Sequence, residues 1–600
     1  MRIKKILILI FLILLPVFAR LYYLRADIPP TGKLGTHNAD EGTWAHNARN
    51  KILFGSWFME NDEWNPLFVS PPFSLLAYSS FWAFGPGIVQ ARLVSVLFSL
   101  LTMLFFYRAL RNEFGMKTAI IGIFLLSCNF VYLAFSRAVM LEVFSIFFLV
   151  LTFYFFQKCP KNQNFIFLVA VSSFLAFIAK PSNLHFFPVV FISTYALAFK
   201  NFKRKEFKLL IRPYAILAGV WAIMGIIYLL AFLLPFYDFV KMMLIDTYFV
   251  PRSSSPLIMR VFNILTIGFD KYTFARMPFV SLTAFVFFIF LAGRILSKFG
   301  KVEPLNFFAF NWIAFSFLYF FFFDSPMRRM VQIIPPFIFL SAQLLSNLRR
   351  SQIKLNLKGR MQKIIIPLLW FFLLYSIIGN MLRFGLFEQT GFLIRQVTSF
   401  FHNKFSFNLR SYFVASLLSL IFSFAVALPV FIYCLIFKGK VALAFQRFWR
   451  VISIHSKAFI IIALAGEFLL FSFQFHAFVF KAEDSYYRAS LDLGNVIANE
   501  KIQGRTSPAF TMENNNIPVN IEPGFANYKN RFNRTDISYF MLVLKRHCRI
   551  PDGKDDSGLL ISDPDVNAWM SSYPNSTLVW AYNVSDSKEA SICLFKKGKK

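Results

Sequence analysis

Apolar residues follow one another in runs of about 16 to 25 along most of this chain, and short basic clusters separate the runs. In the hydrocarbon core of a bilayer, backbone N–H and C=O groups find no water, so each run must satisfy its own backbone groups as a helix. The runs are too long and too continuously apolar to be strands of a membrane barrel. The pattern therefore predicts an all-α polytopic membrane protein.

The runs predict about thirteen transmembrane helices, each long enough to cross the hydrocarbon core. Their approximate bounds are 6–24, 89–107, 118–135, 138–157, 164–180, 183–199, 213–235, 279–297, 305–323, 331–347, 364–382, 411–437 and 458–480. The first run has the basic start of a signal peptide. It is long and lacks a small-x-small cleavage pattern, so we expect a retained anchor. Two connecting loops, 25–88 and 236–278, are large enough to build a site.

The residues after the last predicted span differ from the rest of the chain. They are less hydrophobic, and they alternate the helix-like stretch SLDLGNVIANEK with the strand-like stretches YFMLVLK and STLVWAYNV. We therefore expect a transmembrane domain over residues 1–480 and a small soluble α/β domain over residues 481–600. Cys548 and Cys593 both fall in this second domain, where an oxidising compartment would allow a disulfide between them.

The distribution of charge predicts the orientation of the chain. Hydrophobic residues make up 57% of the 600, and the formal net charge is +33. The loops on the side of the N-terminus hold 28 Lys and Arg against three acids, which accounts for about +25 of that charge. Such loops mark the cytoplasmic face. We therefore expect the N-terminus inside and the C-terminal domain outside. We expect no nucleic acid as partner, because the basic residues follow the membrane topology.

One polar stretch interrupts the apolar pattern just after the first run. Residues 35–50 read GTHNADEGTWAHNARN and contain the adjacent carboxylates Asp40 and Glu41. A solvated loop would explain these two acids. However, loop 25–88 also holds four Trp residues, which suit a membrane interface, and Pro71 and Pro72 stiffen its return to the bilayer. These residues favour an ordered loop that carries a functional site.

Further charged residues stand at the ends of predicted spans on the same, outer side of the membrane. They are Arg92, Arg137, Glu142, Lys180, Arg328 and Arg329. Each cation alone is explained as an anchor whose charged head reaches the interface. Together, carboxylates and cations at one interface are typical of a site that binds an anionic headgroup beside a general base. The chain has no G-x-G-x-x-G after a strand and no P-loop, in keeping with a lipid-borne donor.

The order and sidedness of these short motifs resemble a known family. The motifs are the Asp-Glu pair, the Pro-Pro return, ARLVS at 91–95, RAVMLE at 137–142, Lys-Pro at 180–181 and RRMVQIIPP at 328–336. In these features the chain is similar to the polyprenyl-phosphate-dependent glycosyltransferases of the GT-C fold. That group includes protein O-mannosyltransferases and the lipid A aminoarabinose transferase. The resemblance covers residues 1–345 by motif and the whole chain by architecture, with a soluble domain outside the membrane.

The resemblance implies a role for each matched position. It makes Asp40 the catalytic carboxylate, with Glu41 its neighbour and Glu142 a second acidic residue of the site. The residues implied to bind the donor phosphate or to steady the site are Arg92, Arg137, Lys180, Arg328 and Arg329. Two positions depart from the aminoarabinose transferase, which typically has Lys where this chain has Ser70 and an aromatic residue where it has Arg329. Ser70 weakens the lipid A assignment, and Arg329 would replace the missing cation.

The resemblance also implies a function and its partners. The enzyme would transfer a sugar from a polyprenyl-phosphate donor to a protein, lipid or glycan acceptor on the outer face of the cell membrane, among membrane lipids. Cations stabilise the charge that grows on the leaving phosphate, and a carboxylate accepts the proton of the incoming hydroxyl. No cofactor is required, although a divalent metal at the acidic pair stays open.

A secondary transporter or flippase of an anionic lipid or sugar is the alternative function. It predicts inverted repeats and charges in the middle of helices. Here the charges lie at the outer ends of the spans and the outer loops are large, which favours catalysis at the interface.

The loop 236–278 is too polar and too interrupted to span the membrane. Amphipathic stretches lie on either side of the sequence PRSSSP at residues 251–256. The loop is either an interfacial anchor or a mobile lid that closes over the donor.

Overall fold

The computed structural model describes residues 14–27, 38–59, 62, 65–203, 207–241, 277–298, 302–323, 327–347, 456–479, 483–521, 531–545, 569, 571–573, 575–583 and 590–598. The predicted spans 364–382 and 411–437, residues 242–276 of the second outer loop, and Cys548 lie outside these residues.

Helices account for almost all of the described chain before residue 480. The first, α1, covers residues 14–21. Those that follow are α2 (Asn38–Phe54), α3 (Pro66–Val69), α4 (Pro71–Phe84), α5 (Ile88–Ser127), α6 (Phe130–Ser136), α7 (Leu141–Lys158), α8 (Phe165–Ala179), α9 (Phe186–Lys203), α10 (Phe207–Tyr228), α11 (Tyr237–Val240), α12 (Pro278–Lys298), α13 (Pro304–Phe323), α14 (Ile334–Asn347) and α15 (Ser456–Val479). Two 3-10 helices, Pro181–His185 and Met327–Ile333, lead into α9 and α14, and a π-helix, Leu229–Leu233, extends α10.

Several of these helices can cross a membrane. Among the described residues, six helices are long and apolar enough to span a bilayer, and two further apolar helices are shorter. The prediction of a helical, multi-pass membrane protein is confirmed. The number of thirteen spans stays a prediction.

Helix α5 contains two of the predicted spans. Its backbone leaves helical geometry at Gly115, where φ is +83°, a conformation that glycine adopts without steric cost. The chain turns there, within the basic cluster predicted to separate the spans. The second half ends at Ser127, earlier than predicted. The reason is that Asn129 caps a new helix by accepting a hydrogen bond from the Tyr132 N–H.

Phenylalanine side chains pack the membrane helices against one another. Phe153 of α7 meets Phe308 of α13 and Phe339 of α14 edge to face, with ring centroids 5.6 and 4.9 Å apart. Aromatic pairs in this geometry add about 0.5 to 1.5 kcal/mol to the burial of their area. The contacts fix α7, whose first turn carries Glu142, between its neighbours.

The C-terminal region folds around a five-stranded sheet. Its strands are β1 (Lys501–Gln503), β2 (Ile517–Val519), β3 (Tyr539–Lys545), β4 (Thr577–Asn583) and β5 (Ala590–Lys596), in the order β2-β1-β3-β5-β4. Strand β1 runs parallel to β2 and β3, whereas β5 runs antiparallel to β3 and β4. Helices α16 (Ser485–Val496) and α17 (Ser507–Phe510) complete it. The expected α/β fold is confirmed, with β3 and β4 on the two strand-like stretches.

Candidate active site

The two adjacent acids of the first outer loop lie in the first turn of α2. Negative side chains at this position interact favourably with the helix dipole. Glu41 is only 2% exposed, whereas Asp40 is half-buried. Successive side chains point about 100° apart around a helix. Neighbours in the sequence therefore lie in different surroundings.

Glu41 forms a buried ion pair with Arg92 of α5. The Arg92 Nε donates to Oε1 at 2.8 Å and Nη2 to Oε2 at 2.5 Å, which is the bidentate geometry that a guanidinium favours. Oε1 also accepts the N–H of Val139 at 2.8 Å. The remaining Nη1 of Arg92 donates to the carbonyl oxygens of Leu24 and Ala26, at 2.6 and 2.7 Å. One guanidinium thus holds together the segment after α1, α2 and α5.

A second buried ion pair joins Glu142 and Lys180. The Lys180 Nζ lies 2.5 Å from the Glu142 Oε1, and both side chains are at most 5% exposed. Glu142 stands in the first turn of α7, and Lys180 follows α8, which ends before Pro181. Because the Val139 N–H contacts Glu41 three residues before Glu142, the two ion pairs are neighbours along one hairpin.

Arg137 lies in the same hairpin and fastens it to α1. Its Nη1 donates to the Ala19 carbonyl at 2.6 Å and its Nη2 to the Tyr23 carbonyl at 2.9 Å. Its guanidinium also lies over the ring of Phe478. Burial, together with the nearby guanidinium of Arg92, lowers the pKa of Arg137 to about 9. Arg137 thus supplies hydrogen-bond donors to the carbonyl groups at the end of α1.

The other two expected cations, Arg328 and Arg329, lie on the 3-10 helix Met327–Ile333. This helix packs against α7 and α14. The 3-10 helix therefore lies beside the helix whose first turn carries Glu142.

Several buried polar atoms in the segments around α4, Lys180 and α14 have no hydrogen-bond partner among the described residues. They belong to Ser70, Ser74, Ser182, Asn183 and Gln332. These residues lie at the start of α4, directly after Lys180, and before α14, and α4 packs against α8. An unsatisfied buried group costs about 1 to 3 kcal/mol, and each such group in a native structure calls for an explanation. Ser182 and Asn183, directly after Lys180, are the two of these residues that the chain itself places beside the second ion pair.

The acidic pair does not by itself form a metal site. Within the described ranges, no three side chains of His, Cys, Asp or Glu come together. Both oxygens of Glu41 are engaged by Arg92, a cation already. A divalent ion would have to displace that guanidinium, so we derive no step through a metal.

Sequence reasoning missed several residues that build this region. Arg20, inside the first predicted span, is fully buried and donates to the Ser99 Oγ at 2.6 Å. A lone charge within a span is costly enough to be a signal in itself. His46, also buried, lies 2.7 Å from the Asp62 carboxylate and 3.0 Å from the Thr43 carbonyl, and so ties α2 to the loop that follows it.

The chain is similar to known proteins over part of its sequence and over its whole fold. Residues 69–233 match the family described as Dolichyl-phosphate-mannose-protein mannosyltransferase. No curated protein sequence matches the chain significantly. The crystal structure of ArnT from Cupriavidus metallidurans bound to undecaprenyl phosphate is similar with a TM-score of 0.56 and 13% identity, over 98% of each chain. The apo state of that protein gives a TM-score of 0.53 at 12% identity, over 98% of this chain and 97% of that one.

These similarities agree with the interpretation of the sequence. At such identity the solved structures establish the fold, and the matched segment adds the enzyme class. The segment 69–233 contains Arg92, Arg137, Glu142 and Lys180. The resemblance to GT-C glycosyltransferases that depend on a lipid-phosphate sugar is confirmed.

Proposed function

We propose that this GT-C glycosyltransferase binds its polyprenyl-phosphate sugar beside the Glu142–Lys180 pair and transfers the sugar with Asp40 as the general base. The observation that carries the proposal is the buried ion pair itself, since it lies in the segment that matches the mannosyltransferases and next to unsatisfied polar groups. The acceptor is a hydroxyl of a protein, lipid or glycan that reaches the site from the outer face.

Lys180 is the cation we assign to the donor phosphate. Its ammonium, held beside Glu142, is a compact point charge of the kind that commonly binds phosphate. Glu142 holds the ammonium in place before the donor arrives. We also assign Arg328 and Arg329 to this phosphate, as the resemblance implies, and their 3-10 helix packs on α7.

Arg92, Arg137 and Glu41 receive a different role in this proposal. The guanidinium of Arg92 makes four hydrogen bonds within the protein, and Arg137 makes two to backbone carbonyls. Groups so engaged would have to break these bonds to meet a ligand. We therefore assign Arg92, Arg137 and Glu41 the role of positioning α2, the helix that carries Asp40.

The reaction needs one proton transfer and one displacement. The acceptor hydroxyl oxygen forms a bond to the anomeric carbon, and the bond from that carbon to the phosphate oxygen breaks. The hydroxyl proton passes to the Asp40 carboxylate, and the polyprenyl phosphate leaves with its added negative charge. Lys180 stabilises that charge where it develops, in surroundings with little water.

The test is consumption of the donor by the purified protein in proteoliposomes. Radiolabelled polyprenyl-phosphate sugars are supplied on the outer face together with protein, lipid and glycan acceptors, and we expect the label to pass to an acceptor and polyprenyl phosphate to be released. A protein that instead moves the intact donor or free sugar across the bilayer would be a flippase or transporter. That result, or no consumption of any donor, would overturn the proposal.

The proposal places residues 1–480 in the membrane with the N-terminus in the cytoplasm, and residues 481–600 outside the cell membrane. The basic loops support this orientation. So does Cys593 of β5, a disulfide-bonded residue, because disulfides persist in oxidising compartments. We expect a reporter fused after Lys600 to read as outside and one inserted within residues 348–363 to read as inside. An inside-facing C-terminus would contradict the orientation and require a different number of spans.

A further inference from the structure

The C-terminal domain packs directly onto the helix that carries Asp40. Gly42, two residues after Asp40, faces the backbone of Pro508 and Ala509 in α17 so closely that a Cβ at this position would overlap it. The close contact requires glycine at position 42, because any larger residue would push the C-terminal domain away from α2.

Arg49 fastens the other end of α2 to the same segment. Its Nη2 donates to the carbonyl oxygens of Asn514 and Asn516, the second at 3.0 Å, and its Nη1 donates to the Asn50 Oδ1 at 3.1 Å. The side chain is fully buried, and burial lowers the pKa of Arg49 to about 9. A guanidinium this far from water holds its partners firmly, because breaking the contacts would leave a buried charge unsatisfied.

The two domains also cap each other's helices. Neither α5 nor α16 is capped by the side chain of its own N-cap residue. Instead, Asp27 of the membrane domain accepts the N–H groups of Ser485 and Tyr486 at the start of α16, at 2.8 and 3.2 Å. In return, Glu513 of the C-terminal domain accepts the N–H of Ile88 at the start of α5, at 2.7 Å. Carboxylates at helix N-termini satisfy free N–H groups and the helix dipole together.

Of the two capping carboxylates, Asp27 is buried between the domains and Glu513 is half-buried there. Burial raises the pKa of Asp27 to about 6 and raises that of Glu513. They line one cavity with Glu41, Gly42 and Arg92. The helix that Glu513 caps carries Arg92 one turn further on, and Arg92 in turn holds Glu41 of α2. A chain of direct contacts therefore runs from the C-terminal domain to α2.

We infer that residues 507–516 of the C-terminal domain are a positioning element of the active centre. They fix the position of α2 and thereby the position of the Asp40 carboxylate. The inference rests on the proposed function, because it gives Asp40 its catalytic role. Gly42, Arg49, Asp27 and Glu513 are positioning residues, and the domain is needed for turnover itself and not only for acceptor binding.

The test compares Gly42→Ala with Gly219→Ala in the full-length protein. Both changes add one methyl group to a helix, but Gly219 of α10 has open space around its Cα. We expect Gly42→Ala to increase hydrogen exchange in α2 and to lower kcat by up to about 100-fold, since small displacements of reacting groups cost rates of this order. The KM for the lipid donor should stay within about twofold, because its cation is held elsewhere. Gly219→Ala should change none of these quantities.

A second variant, Arg49→Gln, removes the other contact without steric strain. We expect the same faster exchange in α2 and the same loss of kcat, with partial rescue by Arg49→Lys. Wild-type kcat in both variants, with or without faster exchange in α2, would overturn the inference. If the wild-type protein consumes no lipid donor, the proposed function fails, while hydrogen exchange still tells whether residues 507–516 restrain α2.

Discussion

Replacing Asp40 by Asn should lower the rate of sugar transfer by about 100-fold to 10,000-fold, the range that loss of a positioned general base typically costs. The carboxamide has the same shape as the carboxylate, but it cannot take the proton of the acceptor hydroxyl. Asp40 is half-buried in the first turn of α2, and the change removes a favourable interaction with the helix dipole, worth about 0.3 to 1 kcal/mol. Transfer from a radiolabelled donor in proteoliposomes, together with the thermal midpoint, measures both effects.

Glu41→Gln is the matched control, since it makes the same chemical change one residue further along the helix. Glu41 is buried against Arg92, so its loss leaves an unpaired guanidinium, which costs about 3 to 5 kcal/mol. The two variants should therefore separate. Asp40→Asn should lower turnover while the thermal midpoint stays near normal. Glu41→Gln should mainly lower the thermal midpoint. Near-normal turnover with Asn at position 40 would show that another group is the base.

Most membrane spans could be predicted from the sequence, whereas residues 25–88, predicted as a loop, contain the helices α2, α3 and α4. The signal for α4 was local, because Pro71 and Pro72 occupy its first turn, where the missing N–H groups do no harm. Lys180 ends α8 because the residue before a proline avoids helical geometry. Among the described residues, apolar runs between basic clusters predicted several further ends closely, but not the end of α5 at Ser127, for which residue 135 was predicted. These signals need no knowledge of distant contacts.

The partners of the charged residues could not be predicted in the same way. The sequence offered Glu41, Glu142, Arg92, Arg137 and Lys180 at one interface, and nothing local decides which acid meets which cation. The structure pairs Glu41 with Arg92 and Glu142 with Lys180. Arg137 instead contacts the carbonyls of Ala19, in the last turn of α1, and of Tyr23, just after it.

The contacts between the domains were still harder to predict from the sequence. Asp27 caps a helix 458 residues away, and Glu513 caps one 425 residues away. In the sequence each is an ordinary acid in a polar segment. Gly42 likewise carries no local sign of its role, because it stands inside a regular helix, where glycine usually only weakens the structure. Only the packing of the C-terminal domain on α2 gives these residues a reason.

The pair of Glu142 and Lys180 should be essential to turnover and separable from the stability of the fold. Lys180→Met leaves a buried carboxylate without its cation, which should destabilise the protein by about 3 to 5 kcal/mol. Adding Glu142→Gln removes the buried negative charge, so the double variant should regain most of the decrease in thermal midpoint. Replacing both members of a buried ion pair is often nearly neutral for stability. Its transfer rate should nevertheless stay about 100-fold to 1,000-fold below wild type, because no ammonium meets the charge on the leaving phosphate. A double variant with normal stability and wild-type transfer would show that the pair only holds α7 against α8, and that Arg328 and Arg329 alone serve the phosphate.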